Sequence, residues 1–192
     1  RLLWPVPKSK QPSDVIALPG FGFDDRSTWP LRKVLAHAGH HVEGWGLGRN
    51  VAGLDIRHEF EDLSPTWRSL QPPPPKRYRR EGGVPMLVQR MIERVMARPA
   101  SSTPVALVGW SLGGTVAREV ARELPERVSL VVTLGSPVVG GPKYTAASVA
   151  LRDRGLDLDW IERGVALREA EPIRVPIVAV VSPSDAVVGR SA

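Results

Sequence analysis

One serine in this chain stands where its neighbours would make it reactive. The stretch Val105-Ala106-Leu107-Val108-Gly109-Trp110-Ser111-Leu112-Gly113-Gly114 is a short apolar run that stops at glycine, followed by a lone serine and two more glycines. Thr115 to Glu123 then reads as a helix. Gly-x-Ser-x-Gly between a strand and a helix is the setting of a nucleophile elbow. So tight a turn forces Ser111 into a strained backbone conformation and lifts its hydroxyl above the sheet edge. Side chains at 109 and 113 would collide with the neighbouring strand and helix, which accounts for glycine at both. The following helix aims unpaired N–H groups and a partial positive charge at the serine. A serine held this way can attack an acyl carbon, with donors ready for the charge that builds on the acyl oxygen. It also needs a histidine to take its proton and a carboxylate to orient that histidine. The competing reading is a glycine-rich turn with a solvated serine.

The elements around it have to deliver that serine to a sheet edge. Asp14-Val15-Ile16-Ala17-Leu18 is a nearly continuous apolar run and suits a strand buried on both faces. It runs into Pro19-Gly20-Phe21-Gly22-Phe23-Asp24-Asp25, where glycines let the backbone turn and expose its N–H groups. Ser27 or Thr28 can cap the next helix, Pro30 fits its first turn, and Leu31, Val34, Leu35 and Ala38 share its inner face. Gly39 ends it, and His40 to Trp45 reads as a short strand. Val84 to Arg98 is helical, with Leu87, Val88, Met91, Ile92 and Val95 on an apolar face and Met91 and Met96 as core filler. Val128 to Leu134 and Val175 to Val181 read as buried strands. Ala146 to Leu151 and Leu156 to Leu167 have helical character. Strand, loop, helix, strand in succession predicts an α/β fold with a mostly parallel sheet and helices on both faces.

At the elbow the chain resembles the α/β-hydrolase family, in particular its lipase and esterase branch. Trp45-Gly46-Leu47-Gly48-Arg49-Asn50 is similar to a stretch of bacterial lipase-like members. Gly135-Ser136-Pro137 is similar to a lipase turn, although Val138 stands where many lipases have histidine. The resemblance implies oxyanion donors at the backbone N–H of Phe21 and of Leu112. It implies the acid at Asp185, in Ser182-Pro183-Ser184-Asp185-Ala186-Val187-Val188, with the histidine after it in the chain. All four histidines, His37, His40, His41 and His58, precede Ser111. The resemblance therefore implies one domain over residues 1–192, truncated before its last strand, helix and catalytic histidine. On that reading the fragment alone lacks normal turnover. Residues 51–83 form an insertion that either covers the site or lies on the surface. Residues 143–172 form either a cap, with Leu156, Leu158, Trp160 and Ile161 lining an acyl pocket, or an ordinary packed connection.

The implied activity is a serine esterase or lipase acting on a small-molecule or lipid ester, with no cofactor. An acyltransferase or thioesterase would present the same residues, and so would a non-catalytic binding scaffold. The chain has no cysteine, which removes thiolate metal sites and a cysteine nucleophile. His37, His40 and His41 lack carboxylate or cysteine partners at metal-site spacing. Lysine and arginine number 26 against 20 acidic residues, for a net charge of +6. Part of that excess is the cluster Lys76, Arg77, Arg79 and Arg80, which suits a weak contact with an anionic surface. No nucleic-acid motif accompanies it, so no nucleic-acid partner is expected.

Overall fold

Segments of four to seven residues, all but β2 mainly apolar, pair side by side into one sheet of five parallel strands, in the order β2-β1-β3-β4-β5. In the computed structural model, residues 6–56, 60–62, 65, 68, 83–138, 141–146, 148–153 and 157–182 are described. In chain order, β1 is Asp14–Leu18, α1 Trp29–His37 and β2 His41–Gly44, followed by a short 3-10 turn at Phe60–Asp62. Next come α2 at Val84–Met96, β3 at Val105–Trp110, α3 at Leu112–Glu123 and β4 at Val128–Leu134. A second 3-10 turn at Gly141–Tyr144 leads to α4 at Ser148–Asp153, α5 at Leu158–Glu169 and β5 at Ile177–Val180.

Alternation along the strands divides the core between two faces. Ile16, Leu18, Leu107 and Val131 point to one face, where Leu87, Val88, Met91 and Val95 of α2 and Val116, Ala117, Val120 and Ala121 of α3 cover them. Val15, Ala106 and Val108 point to the other, against Leu31 and Leu35 of α1. Helices thus lie on both faces. Met91 has no solvent exposure, and truncating such a side chain to alanine costs about 2–5 kcal/mol.

Several elements depart from the sequence reading, each for a physical reason. β5 reads as a buried strand, yet Val178 and Val180 are each 49% exposed. It pairs with β4 alone and forms the sheet edge among the described residues. Met96 is 54% exposed at the last turn of α2, so it does not fill the core. Thr28 occupies the cap position of α1 but makes no side-chain cap. Its hydroxyl donates to the Asp25 carbonyl at 3.1 Å and accepts from Arg32 Nε at 3.2 Å. α3 begins at Leu112, three residues before the helical pattern becomes visible, because the glycines of the elbow are themselves its first turn. The helices between β4 and β5 sit about two residues later than their apolar spacing suggests, within the usual uncertainty of helix ends.

Candidate active site

The sheet order marks one place on the molecule. The chain leaves β1 toward β2 on one side and returns as β3 on the other, so β1 and β3 flank a topological switch point. In open parallel sheets, ligands bind outside the carboxyl ends of the strands at such a point. Ser111 follows β3 there, and the Pro19–Phe23 loop follows β1 beside it.

Ser111 has φ 51° and ψ −123°. With Ala52 at φ 58°, it is one of two non-glycine residues with positive φ among the described residues. Its N–H donates to the Leu134 carbonyl of β4 at 2.9 Å, and its carbonyl accepts from Gly114 N–H at 2.9 Å. Three glycines make the turn feasible. A Cβ on Gly109 would overlap the backbone of Gly113 and Gly114. One on Gly113 would strike the carbonyls of Leu18 and Pro19, and one on Gly114 the Ser136 side chain. The β3–α3 turn is therefore pressed directly onto the end of β1. That contact brings the two loops together: a Cβ placed on Gly20 would lie 3.3 Å from Ser111 Cβ and 3.2 Å from Trp110 Cε3.

The Pro19–Phe23 loop is a closed turn. Phe23 N–H donates to the Gly20 carbonyl at 3.2 Å, and Gly22 has φ +83°, as the third position of a type II turn requires. Phe21 is the second position. Its N–H, like that of Leu112 at the start of α3, has no acceptor among the described residues. Phe23 packs its ring against Trp110 with centroids 5.0 Å apart and planes at 48°, and both rings are partly exposed. The structure thus brings together Ser111, Leu112 and the Phe21 turn, two free backbone donors flanking a strained serine.

Other predicted residues fall elsewhere. His41 is paired in register with Asp14, and its Nδ1 lies 3.3 Å from the Asp14 carboxylate. Asp14 opens β1 whereas Leu18, which closes it, is level with Gly109. His41 is thus at the opposite edge of the sheet, roughly 13 Å or more from the elbow along the strands. His40 accepts from Ser13 N–H at the same edge, and His37 ends α1. None of these three can reach Ser111. Asp185, His58 and the cluster Lys76, Arg77, Arg79 and Arg80 lie outside the described residues. So do Leu156 and the side chain of Trp160, whereas Leu158 is buried.

The model of the alpha/beta hydrolase fold matches residues 15–172. The chain belongs to the alpha/beta hydrolase fold family. A pimeloyl-[acyl-carrier protein] methyl ester esterase of Edwardsiella ictaluri (strain 93-146) is 33% identical over 105 residues, covering 55% of this chain and 37% of that protein. Two solved structures share the fold. A membrane phospholipase A described as a bacterial virulence factor has TM-score 0.53 and 17% identity, over 96% of this chain and 67% of its own. A metagenomic carboxyl esterase has TM-score 0.52 and 15% identity, over 91% of this chain and 51% of its own. This hydrolase-fold chain spans little more than a third of the curated relative it matches.

Sequence reasoning missed the residues that hold the hydrolase-fold site in place. Asp25 accepts from the N–H groups of Trp45 at 2.9 Å and Gly46 at 3.1 Å, tying the loop after β1 to the end of β2. Asn50, fully buried, binds the Pro19–Phe23 loop through side chain and backbone. Along α3, Glu119 and Arg122 pair with Arg168 and Glu169 of α5. All are polar residues in loops or at helical spacing, where a solvated role is the default reading.

Proposed function

We propose that this protein is a serine hydrolase of carboxylic esters. Ser111 attacks the ester carbonyl, and the N–H groups of Phe21 and Leu112 hold the oxyanion. Asp185 orients a histidine that follows it in a longer chain, outside residues 1–192. That histidine takes the Ser111 proton during attack and passes it to the leaving alcohol. Water then attacks the acyl-enzyme, with the histidine again as base, and the acid is released. The observation that carries this reading is the strained backbone of Ser111 at the switch point, beside two donors without acceptors among the described residues. Strain of this kind costs about 1–3 kcal/mol and persists where the surrounding structure enforces it. The position of His37, His40 and His41 at the far edge of the sheet supports a base from elsewhere. The methyl ester esterase relative supports a carboxylic ester as substrate.

Hydrolysis of p-nitrophenyl esters by the full-length protein tests this. Ser111→Ala is expected to lower kcat by roughly 1,000,000-fold with the fold retained, as loss of a triad serine does. Turnover that survives Ser111→Ala in a folded protein contradicts the proposal.

A second reading has one observation in its favour. No described histidine lies near Ser111, as would hold for a hydrolase scaffold that serves only to bind. That reading predicts a folded full-length protein without esterase turnover.

A further inference from the structure

We propose that Asn50 is the positioning residue of the oxyanion loop, fixing the turn so that the Phe21 N–H is left as its free donor beside Ser111. This rests on the serine-hydrolase reading. Asn50 has no solvent exposure, so each of its polar groups must find a partner inside the protein. Every one does. Its side-chain Nδ2 donates to the Pro19 carbonyl at 2.8 Å. Its Oδ1 accepts from Ala52 N–H at 3.1 Å. Its backbone N–H donates to the Phe23 carbonyl at 2.8 Å, and its carbonyl accepts from Gly22 N–H at 2.6 Å.

Three of these four bonds go to the loop that carries Phe21, and they grip it on both sides: Pro19 before Phe21, Gly22 and Phe23 after it. The turn closes on itself through Phe23 N–H and the Gly20 carbonyl. Arg49 Nε adds a bond to the Gly22 carbonyl at 2.7 Å. The carbonyls of Pro19, Gly20, Gly22 and Phe23 and the N–H groups of Gly22 and Phe23 are thus engaged, while the Phe21 N–H has no acceptor among the described residues. A turn held at one end only could pivot about its glycines. Held at Pro19 and at Gly22–Phe23, and pressed through Gly20 against Trp110 and Ser111, it has one orientation.

The chemistry selects asparagine. The position needs a donor toward Pro19 and an acceptor toward Ala52, and only a carboxamide of this length offers both without charge. The partners also fix which end of the amide is nitrogen. Ala52 supplies an independent sign. It is the other described non-glycine residue with positive φ, and its strained conformation directs its N–H onto Asn50 Oδ1. The two strained residues of the described chain thus bracket one device, the nucleophile and the brace of the loop facing it.

The test compares oxo- and thionoesters of one acid on the full-length protein and its Asn50→Ala variant. Sulfur accepts hydrogen bonds weakly, so a misplaced Phe21 N–H harms the oxoester far more. Asn50→Ala is expected to lower kcat on the oxoester about 100-fold with KM nearly unchanged, as loss of an oxyanion donor does. The ratio of oxo- to thionoester rates should fall by about 10-fold or more. With 15N-phenylalanine labelling, the Phe21 and Phe23 amide signals should move. Asn50→Thr keeps the volume, adds no charge and cannot reach both Pro19 and Ala52. It carries the same comparison if the alanine variant does not fold. Equal losses on both esters, or no loss at all, overturn the proposal. If the unaltered protein hydrolyses neither ester, the serine-hydrolase reading fails instead. The brace is then judged by the Phe21 amide alone: a shift in the variant supports it and an unmoved signal overturns it.

Discussion

Helix α3 is fastened to the rest of the molecule in two different ways along its length. At its N-terminus the contacts are backbone on backbone. Gly109 and Gly113 lie so close to neighbouring main chain that a methyl group has nowhere to go. Further along, the contacts are charges at the ends of long side chains. Glu119, only 6% exposed, accepts from Arg168 Nε of α5 at 2.7 Å. Arg168, 2% exposed, reaches Glu123 at 2.9 Å, and Arg122 reaches Glu169 at 2.8 Å. The elbow gains its accuracy from having no adjustable part. The α5 contact is adjustable but tolerates no unpaired charge, since ions this deep have given up water and depend on one another. Ser111 sits on the rigid end, and the segment between β4 and β5 is secured by the charged end.

The sharpest way to break this contrast is to remove one charge. Arg168→Met leaves Glu119 with Arg122 alone, at 3.3 Å, takes Arg168 from the part-buried Glu123, and is expected to cost about 3–4 kcal/mol by denaturant unfolding. Adding Glu119→Gln should recover part of the loss, because the second change removes a buried charge that has lost its closer partner. A single-variant cost below about 1 kcal/mol, the value of a surface pair, would mean that these ions are solvated.

Next in size is one methyl group at the rigid end. Gly113→Ala drives Cβ into the Leu18 and Pro19 carbonyls and is expected to cost about 3 kcal/mol through overpacking. Gly39 supplies the control, with φ +103° and open space around its Cβ position. Gly39→Ala meets only the backbone penalty, about 1–2 kcal/mol. Equal losses at the two sites would show that backbone conformation, not contact, explains the glycines.

A smaller effect of opposite sign is expected at the serine itself. Ser111→Gly relieves the strained φ and should gain about 1 kcal/mol of stability, the strain released less the entropic cost of glycine. A loss in thermal unfolding would mean that the turn holds Ser111 without strain.

The smallest effect is expected at the exposed staple between the Gly141–Tyr144 turn and α5. Lys143 Nζ bonds Asp159 at 2.8 Å and Glu162 at 2.5 Å, and Tyr144 donates to Glu162. Lys143 holds both carboxyls below their ordinary pKa, with Tyr144 adding to the effect on Glu162. Asp159 and then Glu162 push the Lys143 ammonium well above its ordinary value. Depressed carboxylates stabilise above their unfolded pKa and lose that contribution as pH falls through the folded values. A raised lysine stabilises below its unfolded pKa and loses the contribution as pH rises through the folded value. The difference in melting temperature between the protein and Lys143→Met should therefore be flat from about pH 5 to 10 and shrink in stronger acid. A difference that grows on acidification would contradict the pairing.

The same contrast explains what the sequence could reveal. The elbow is written in small residues whose spacing has one steric meaning, so Ser111, Leu112 and the Phe21 turn could be named in advance and are found side by side. β1 and β4 match their apolar runs residue for residue. β5 does not keep its expected burial, because an apolar run cannot tell a central strand from an edge. Glu119, Arg122 and Arg168 recur at helical spacing like any solvated face, and only the approach of α5 buries them. Asn50 sits in a polar loop, and nothing local distinguishes an exposed asparagine from a fully bonded one. Its partners at Pro19 lie 31 residues away in the chain.

The central claim is that Ser111 is a nucleophile, and covalent labelling reads it most directly. Full-length protein is treated with a fluorophosphonate, digested and analysed by mass spectrometry. The account predicts a single adduct on the peptide that carries Ser111, lost in Ser111→Ala and in Ser111→Gly. A folded full-length protein that takes no adduct at Ser111, or takes it at another serine instead, would contradict it.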